Sequence, residues 1–187
     1  MTRSLVTVLL GAALLAVAMP ANAYEFGLDG NVLSPGPHIA NPIPRTTVTV
    51  ADNYPAGTIL VNTAERRLYL MLGNGEALRY GIGVGRDGFR WGGIHKVTAK
   101  REWPGWTPPP QMRVRVRGLP AYMPGGIDNP LGARALYLGS TLYRIHGSNE
   151  PETIGTAVSS GCFRMTNDDV IDLYKRVPVG TTVIVKN

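Results

Sequence analysis

The sequence predicts a mainly β fold, a β-sandwich of mixed sheets with one α-helix near the C-terminal end. From residue 46 onward, short runs of β-branched and apolar residues alternate with turn residues, the pattern of strands joined by tight connections. One later segment, residues 166–178, instead carries apolar residues at helical spacing. The 187 residues are 44% hydrophobic and 17% charged, a composition typical of one globular domain. We therefore expect a folded domain over residues 46–187.

Residues 1–23 predict a secretory signal peptide. A basic start at Arg3 precedes an apolar run over residues 5–19, and Ala21-Asn22-Ala23 forms a small-x-small cleavage site. The apolar run is shorter than the roughly 20 residues that span a bilayer. We therefore expect cleavage, export to the periplasm or cell envelope, and no membrane-spanning segment afterwards.

Residues 24–45 predict an extended leader. Pro35, Pro37, Pro42 and Pro44 stand among scattered Gly and Asn residues, a composition that favours linkers over packed structure. We interpret this segment as a tether or leader, which could serve as a spacer or as a strap that binds a partner.

The charges are spread along the chain. Nineteen Lys and Arg residues against thirteen Asp and Glu residues give a formal net charge of +6, and no block of like charges stands out. A nucleic-acid partner is therefore not expected. The mildly basic balance is better suited to an anionic polymer or envelope.

Eight strands are predicted within the folded domain, and a hairpin turn at Gly73-Asn74-Gly75 joins two of them. Many short strands with frequent turns are typical of a sandwich or barrel. The predicted ranges are 46–51, 57–62, 67–71, 77–84, 93–99, 135–138, 142–146 and 181–185.

The predicted helix begins after Thr166, whose side chain can cap the free amides of the first turn. Asp168 and Asp169 complement the positive end of the helix, and Arg176 complements the negative end. Pro178 then closes the segment.

Residues 103–130 predict a long loop, because prolines recur throughout and exclude a regular sheet. Long loops inside compact domains are commonly lids or binding loops. Trp103 and Trp106 give this loop aromatic faces suited to a sugar or a peptide, and we expect Trp106 to bind or orient substrate.

Cys162 is the single cysteine, so an intrachain disulfide and a thiolate-rich zinc site are both excluded. His146 precedes it by sixteen positions at a predicted strand end and is the best-placed base for activating the thiol. The successive amides of Ser160, Gly161 and Cys162 could converge on an oxyanion. Arg164 could hold a carboxylate through two hydrogen bonds. The alternative is a buried Cys that packs as a small hydrophobe.

These residues resemble a known family. The run HGSN at 146–149, followed by SSGCFRM at 159–165, is similar to the signature of the YkuD-type L,D-transpeptidases (ErfK/YbiS/YcfS/YnhG-like). The likeness extends over roughly residues 50–187, including the runs DNPLG at 128–132 and ALY at 135–137 and the terminal VPVGTTVIV. Two features depart from the common pattern: Ser160 stands where many members have His, and RWGG at 90–93 replaces a Thr-Pro-x-Gly turn.

The resemblance implies a β-sandwich catalytic domain in which Cys162 is the nucleophile and His146 its base. Other residues match motif positions or lie in the similar segments, and we expect them to bind or orient substrate. These are Gly147, Ser159, Arg164 and Tyr137.

The resemblance also implies a reaction. Similar enzymes take a peptidoglycan tetrapeptide stem as acyl donor and pass it from the Cys to the side-chain amine of a neighbouring stem, which gives a 3,3 cross-link. Water as acceptor would make the site an L,D-carboxypeptidase, and a protein amine would attach an envelope protein. A noncatalytic peptidoglycan-binding module is the alternative of another class. No motif implies a metal or a cofactor.

Overall fold

The computed structural model describes residues 41–51 and 54–187, so the predicted signal peptide and most of the predicted leader lie outside the described residues. Within those ranges the chain forms eleven strands, two α-helices and a short 3₁₀ helix at Pro151–Thr153. The strands are β1 (Thr46–Thr49), β2 (Ile59–Asn62), β3 (Arg67–Gly73), β4 (Glu76–Gly81), β5 (Val84–Gly85), β6 (Gly93–Glu102), β7 (Arg134–Leu138), β8 (Arg144–His146), β9 (Ala157–Ser159), β10 (Phe163–Arg164) and β11 (Thr182–Lys186). The helices are α1 (Pro110–Arg115) and α2 (Asn167–Arg176).

Nine of these strands form one mixed sheet in the order β1-β4-β3-β2-β11-β6-β7-β8-β10, and β5 pairs with β9 in a second, two-stranded sheet. Strand β6 joins the two halves of the large sheet. Its first residues pair with β11 through Gly93–Lys96, and its later residues pair with β7 through Val97–Glu102. Most neighbours are antiparallel, but β2 with β11, β8 with β10 and β5 with β9 are parallel. The predicted mainly β fold with mixed sheets and one main helix is confirmed.

One hydrophobic core is shared by both halves of the sheet and by helix α2. Ile59 and Leu68 enter it from one half, Leu136 and Ile145 from the other, and Leu173 from the helix, all fully buried. This shared core fixes the position of the β8 and β10 strands, which belong to the second half.

Helix α2 begins as its sequence predicts. Thr166 is the N-cap, and its side-chain oxygen accepts a hydrogen bond from the Asp169 amide at 3.2 Å. Lys175 and Arg176 lie in the last turn. None of the helices in the described part of the chain has the length and apolar character needed to cross a bilayer.

The last five residues of the predicted leader pack against the domain. Asn41 and Arg45 both donate hydrogen bonds to the buried carboxylate of Asp169, at 2.6 and 3.0 Å. The side chain of Ile43 lies so close to Gly81 and Gly155 that a Cβ at either glycine would collide with it. Residues 41–45 are therefore bound to the first turn of α2 by these hydrogen bonds.

The long proline-rich loop contains structure that its composition does not indicate. Helix α1 occupies residues 110–115, with Pro110 at its first position, where a missing amide hydrogen costs nothing. Trp106 and Met123 exchange two backbone hydrogen bonds of 2.8 Å. The buried Asn129 donates to the carbonyls of Met123 and Pro124 and closes the loop.

Candidate active site

Strand alternation brings the predicted site residues to one face of the sheet. In the parallel β8–β10 pair, His146 lies opposite Arg164 and Ile145 lies opposite Phe163. Since neighbouring residues of a strand point to opposite faces, the buried Ile145 and Phe163 point into the core. Arg144 and His146 on β8, and Cys162 and Arg164 beside them, therefore share the opposite face.

A cavity of about 550 Å³ opens on this face. It is lined by both predicted reacting groups, Cys162 and His146, together with Trp106 from the long loop. The other lining residues are apolar or cationic, and no Asp or Glu is among the lining residues that the structure describes. They are Arg86, Phe89, Pro109, Gln111, Met112, Arg115, Val116, Pro130, Leu131, Leu142, Tyr143, Arg144, Val158, Ser159, Ser160 and Arg164.

The imidazole of His146 is buried and held in one tautomer. Its Nδ1 lies 2.6 Å from the carbonyl oxygen of Gly147. Because a carbonyl can only accept, Nδ1 carries the hydrogen and Nε2 keeps its lone pair. Burial lowers the pKa of His146 to about 3, and the nearby charges of Arg164 and Arg144 also lower it. His146 is therefore a neutral base at neutral pH.

Gly147 is required by close packing behind the imidazole. A Cβ at this position would collide with the side-chain oxygen of Asn167 and press on the backbone of Gly132 and Ala133. The same Asn167 oxygen accepts a hydrogen bond from the Ala133 amide at 2.9 Å. The motif glycine thus lets the end of β8 approach the start of α2.

The turn before Cys162 is built by three side chains. Ser159 donates its hydroxyl to the Cys162 carbonyl at 2.6 Å and accepts from the Gly161 amide at 3.1 Å. Gly161 has φ +108° and lies against the ring of Tyr143, so a side chain there would be both strained and obstructed. Trp91 donates its indole N–H to the Gly161 carbonyl at 2.6 Å.

The thiol of Cys162 is half-buried beside the edge of β8. Its Sγ lies 3.9 Å from the carbonyl oxygen of Leu142. Burial raises the pKa of the Cys162 thiol, whereas the charges of Arg144 and Arg164 and hydrogen bonds from Arg144 lower it. At neutral pH the cavity therefore holds a protonated thiol and a neutral imidazole.

Arg164 is engaged within the protein. Its Nη2 donates to the hydroxyl of the buried Ser148 at 2.9 Å and to the carboxylate of Glu150 at 2.7 Å. The side chain of Arg164 is only 11% exposed. This geometry favours a role in fixing the loop after His146 rather than a free two-pronged carboxylate site.

Helix α1 covers the cavity from the side of the nucleophile turn. Arg115 donates to the Ser160 hydroxyl at 3.3 Å, and its guanidinium lies 5.5 Å from the centre of the Phe89 ring. Arg86 lies over the same ring at 4.6 Å. Ser160, the residue that departs from the family pattern, is thus the contact point between α1 and the turn that carries Cys162.

Sequence reasoning missed several of the residues that build this site. Arg144 faces the thiol, Trp91 supports the nucleophile turn, and Arg115 crosses the cavity. Trp91 belongs to the RWGG turn at 90–93, which differs from the common family pattern. Nothing in that turn's sequence connects Trp91 with Cys162. Tyr137, expected to bind or orient substrate, is not among the described lining residues; its ring instead lies 5.2 Å from the Arg144 guanidinium.

Among the described residues, no three His, Cys, Asp or Glu side chains come together in a group that could hold a metal ion.

A thiol and a neutral imidazole that line one cavity on a mainly β scaffold are the groups that thiol-dependent acyl transfer requires. Comparison with known families identifies the particular family: residues 56–185 match the L,D-transpeptidase catalytic domain, YkuD. The chain belongs to this family, as the sequence motif predicts.

Two curated relatives from Escherichia coli K12 support the assignment. The chain is 43% identical over 134 residues to the probable L,D-transpeptidase ErfK/SrfK, covering 67% of this chain and 42% of that protein. It is 37% identical over 180 residues to the probable L,D-transpeptidase YbiS, covering 87% of this chain and 57% of that protein. The chain thus spans about half the length of these relatives.

The fold also resembles a solved catalytic domain. The NMR structure of the catalytic domain from the E. faecium L,D-transpeptidase superposes with a TM-score of 0.56 at 19% identity, covering 72% of this chain and all of that one. At this identity the likeness speaks for the fold alone.

Proposed function

We propose that the protein is a peptidoglycan L,D-transpeptidase that forms a thioester between Cys162 and a tetrapeptide stem. The observation that carries this proposal is the shared cavity, in which the thiol and a neutral imidazole of fixed tautomer lie on one face of the sheet. The family assignment supplies the substrate class, since the related proteins are described as L,D-transpeptidases.

Acylation begins from the neutral pair. His146 Nε2 takes the proton of the Cys162 thiol while the sulfur attacks the carbonyl carbon of the third stem residue. When the tetrahedral intermediate collapses, the C–N bond to the terminal D-Ala breaks, and the proton on Nε2 passes to the leaving amine. The thioester remains on the sulfur and the imidazole is neutral again.

The oxyanion of this intermediate needs amide donors that are not already used. The Gly161 amide donates to Ser159 Oγ, so of the three amides expected from the sequence it is the least available. We assign the oxyanion contact to the amides of Ser160 and Cys162, which flank it on the same turn.

The cavity wall suits a stem peptide that carries carboxylates. Arg86, Arg115 and Arg144 line it along with apolar side chains such as Met112 and Leu142. Cationic groups near apolar walls favour an anionic peptide with short aliphatic side chains. In a tetrapeptide donor the D-Ala leaving group carries a free carboxylate. In a longer stem the same residue is joined to the next one by an amide, so this carboxylate distinguishes the two donors.

The product of the reaction depends on which group attacks the thioester as acyl acceptor. An amine from a neighbouring stem attacks the thioester to give a 3,3 cross-link, with His146 accepting a proton from the amine and the thiolate leaving. Water would give a tripeptide, and a protein amine would attach an envelope protein. We propose cross-linking as the main activity.

Incubation of the purified protein with tetrapeptide-containing sacculi, followed by mass spectrometry of the muropeptides, tests the proposal. We expect 3,3-linked dimers with wild type and none with Cys162→Ser, whose circular dichroism should match wild type. Tripeptides without dimers would assign the carboxypeptidase reaction, and unchanged muropeptides would contradict the enzymatic proposal. Intact mass after incubation with a carbapenem should show an adduct that Cys162→Ser lacks.

A further inference from the structure

Arg144 has an unusual place beside the nucleophile. It stands two residues before His146 on β8, on the face shared with Cys162, and it lines the cavity. Its Nε atom is buried, and among the residues that the structure describes it has no hydrogen-bond partner. Buried donors in folded proteins are nearly always satisfied, so an orphan at this position calls for an acceptor.

The side chain of Arg144 packs against an aromatic ring on the neighbouring strand. Tyr137 on β7 is the cross-strand partner of Arg144, and the Tyr137 ring lies 5.2 Å from the guanidinium. A cation at this distance from an aromatic ring is attracted to its face. Tyr137 on β7, Arg144 on β8 and Cys162, which immediately precedes β10, therefore form a row with the cation in the middle.

A neutral thiol is a weak acceptor for this donor, and a thiolate is a strong one. His146 cannot supply the opposite charge in the resting site, because it is neutral and buried. Arg164 is the other cation near the sulfur, but it is already paired with Glu150. Arg144 already contacts the sulfur, and its Nε has no acceptor among the described residues. It is therefore the cation that gains a strong acceptor when the sulfur becomes charged.

We propose that the guanidinium of Arg144 stabilises the thiolate of Cys162 each time the sulfur carries negative charge. In acylation this occurs as the thiol proton moves to His146 Nε2 and the S–C bond forms. In deacylation it occurs again, as the S–C bond of the thioester breaks and the sulfur leaves with the electron pair. This inference rests on the proposed function for its place in the reaction, but the charge effect itself is independent of substrate.

The charged groups around Cys162 come from several elements. Arg144 and His146 lie on β8, Arg164 on β10, Arg86 beside β5 and Arg115 on α1. A pH profile of the thiol therefore reports all of them, and the contribution of Arg144 must be isolated by substitution against a matched control. Arg79 on β4 provides this control, because its Nε is also buried with no partner in the described part of the chain, and Arg79 is not among the described lining residues of the cavity.

The test is the rate of alkylation of Cys162 by iodoacetamide, a neutral reagent, measured as a function of pH. We expect Arg144→Met to shift the profile to higher pH, with a rate at pH 7 about tenfold below wild type. Arg144→Lys should recover most of the rate, since it restores the charge. Arg79→Met should follow wild type. An Arg144→Met profile that coincides with wild type would overturn the proposal.

One further measurement keeps the test decisive. If Arg144→Met does not fold by circular dichroism, Arg144→Gln is compared with wild type in the preference of Cys162 for anionic iodoacetate over iodoacetamide. A lower preference in Arg144→Gln supports the proposal, and an equal preference contradicts it. Because neither reagent is a stem peptide, a shifted profile without activity on sacculi would reject the proposed function and leave the role of Arg144 standing.

Discussion

Trp91 donates its indole N–H to the carbonyl oxygen of Gly161, the residue before Cys162, at 2.6 Å. The same indole stacks on the ring of Tyr143 with centroids 4.3 Å apart and planes 8° from parallel. Tyr143 in turn occupies the space that a side chain at position 161 would need. One tryptophan thus fixes both the backbone of the nucleophile turn and the aromatic surface on which it rests.

Trp91→Phe should separate these two contributions, because Phe keeps an aromatic ring but loses the donor. The part-buried Gly161 carbonyl would then lack its partner, and we expect a loss of about 1–3 kcal/mol in the free energy of unfolding. Urea unfolding measures this loss. A stability equal to wild type would show that water satisfies the carbonyl and that the bond does not hold the turn.

Gly161→Ala should be more damaging than a matched glycine substitution elsewhere. Gly161 (φ +108°) and Gly180 (φ +96°) both have left-handed backbones, but only Gly161 has Tyr143 against it. Both alanine variants carry the backbone cost, and Gly161→Ala adds overpacking of about 1–3 kcal/mol. Thermal unfolding of the two variants compares them directly, and equal losses would contradict the role of Tyr143.

The buried imidazole of His146 makes stability depend on acid. Its folded pKa of about 3 lies below the ordinary value of 6.5, so the unfolded chain takes up the proton first as pH falls. The stability from the neutral imidazole is therefore complete above pH 6.5 and is lost progressively between 6.5 and 3. Between pH 7 and 5 we expect wild type to lose about 2 kcal/mol through this group.

The control is His146→Gln, which cannot titrate. The difference between the two stability profiles isolates His146 from the carboxylates, which titrate mainly below pH 5. Urea unfolding at several pH values gives both profiles. Parallel profiles for the two proteins would mean that His146 keeps an ordinary pKa in the folded chain.

Arg115 should affect donor binding more than the chemical step. It reaches from α1 across the cavity to the Ser160 hydroxyl, and we expect Arg115→Ala to raise KM for a tetrapeptide donor about two- to fivefold with kcat little changed. Ser160→Ala removes the same contact but keeps the cation, so it should have the smaller effect. A large fall in kcat with KM unchanged would place Arg115 in the chemistry instead.

Periodicity and turn residues predicted most of the fold. All eight predicted strands and helix α2 are present, because each has a two-residue or helical pattern with clear turn or cap residues. The missed strands β5, β9 and β10 have two or three residues each. Such short elements have no pattern of their own and exist only because their partners lie beside them.

Only those residues of the candidate site that lie close together in the sequence and form a recognisable motif were predicted. Cys162 and His146 stand out because a solitary thiol and a nearby imidazole form a short motif. Arg144 and Trp91 look ordinary in the chain, and only the pairing of β8 with β10 and the fold of residues 90–93 toward Gly161 bring them to the sulfur. Contacts of this kind come from tertiary structure, for which the single sequence gives no signal.

The parallel pairing of β8 with β10 has a consequence for divergence. Residues 147–162, which include the 3₁₀ helix and β9, join the two strands, and Val158, Ser159 and Ser160 near their end line the cavity. Changes of side chain there can reshape the cavity wall while the paired strands keep the sulfur in register. An added residue between Cys162 and Phe163 would have the opposite effect, since it would turn the sulfur toward the interior. Substitution of the exposed Val158, which lines the cavity, is therefore a route by which ligand preference can change while Cys162 stays in place.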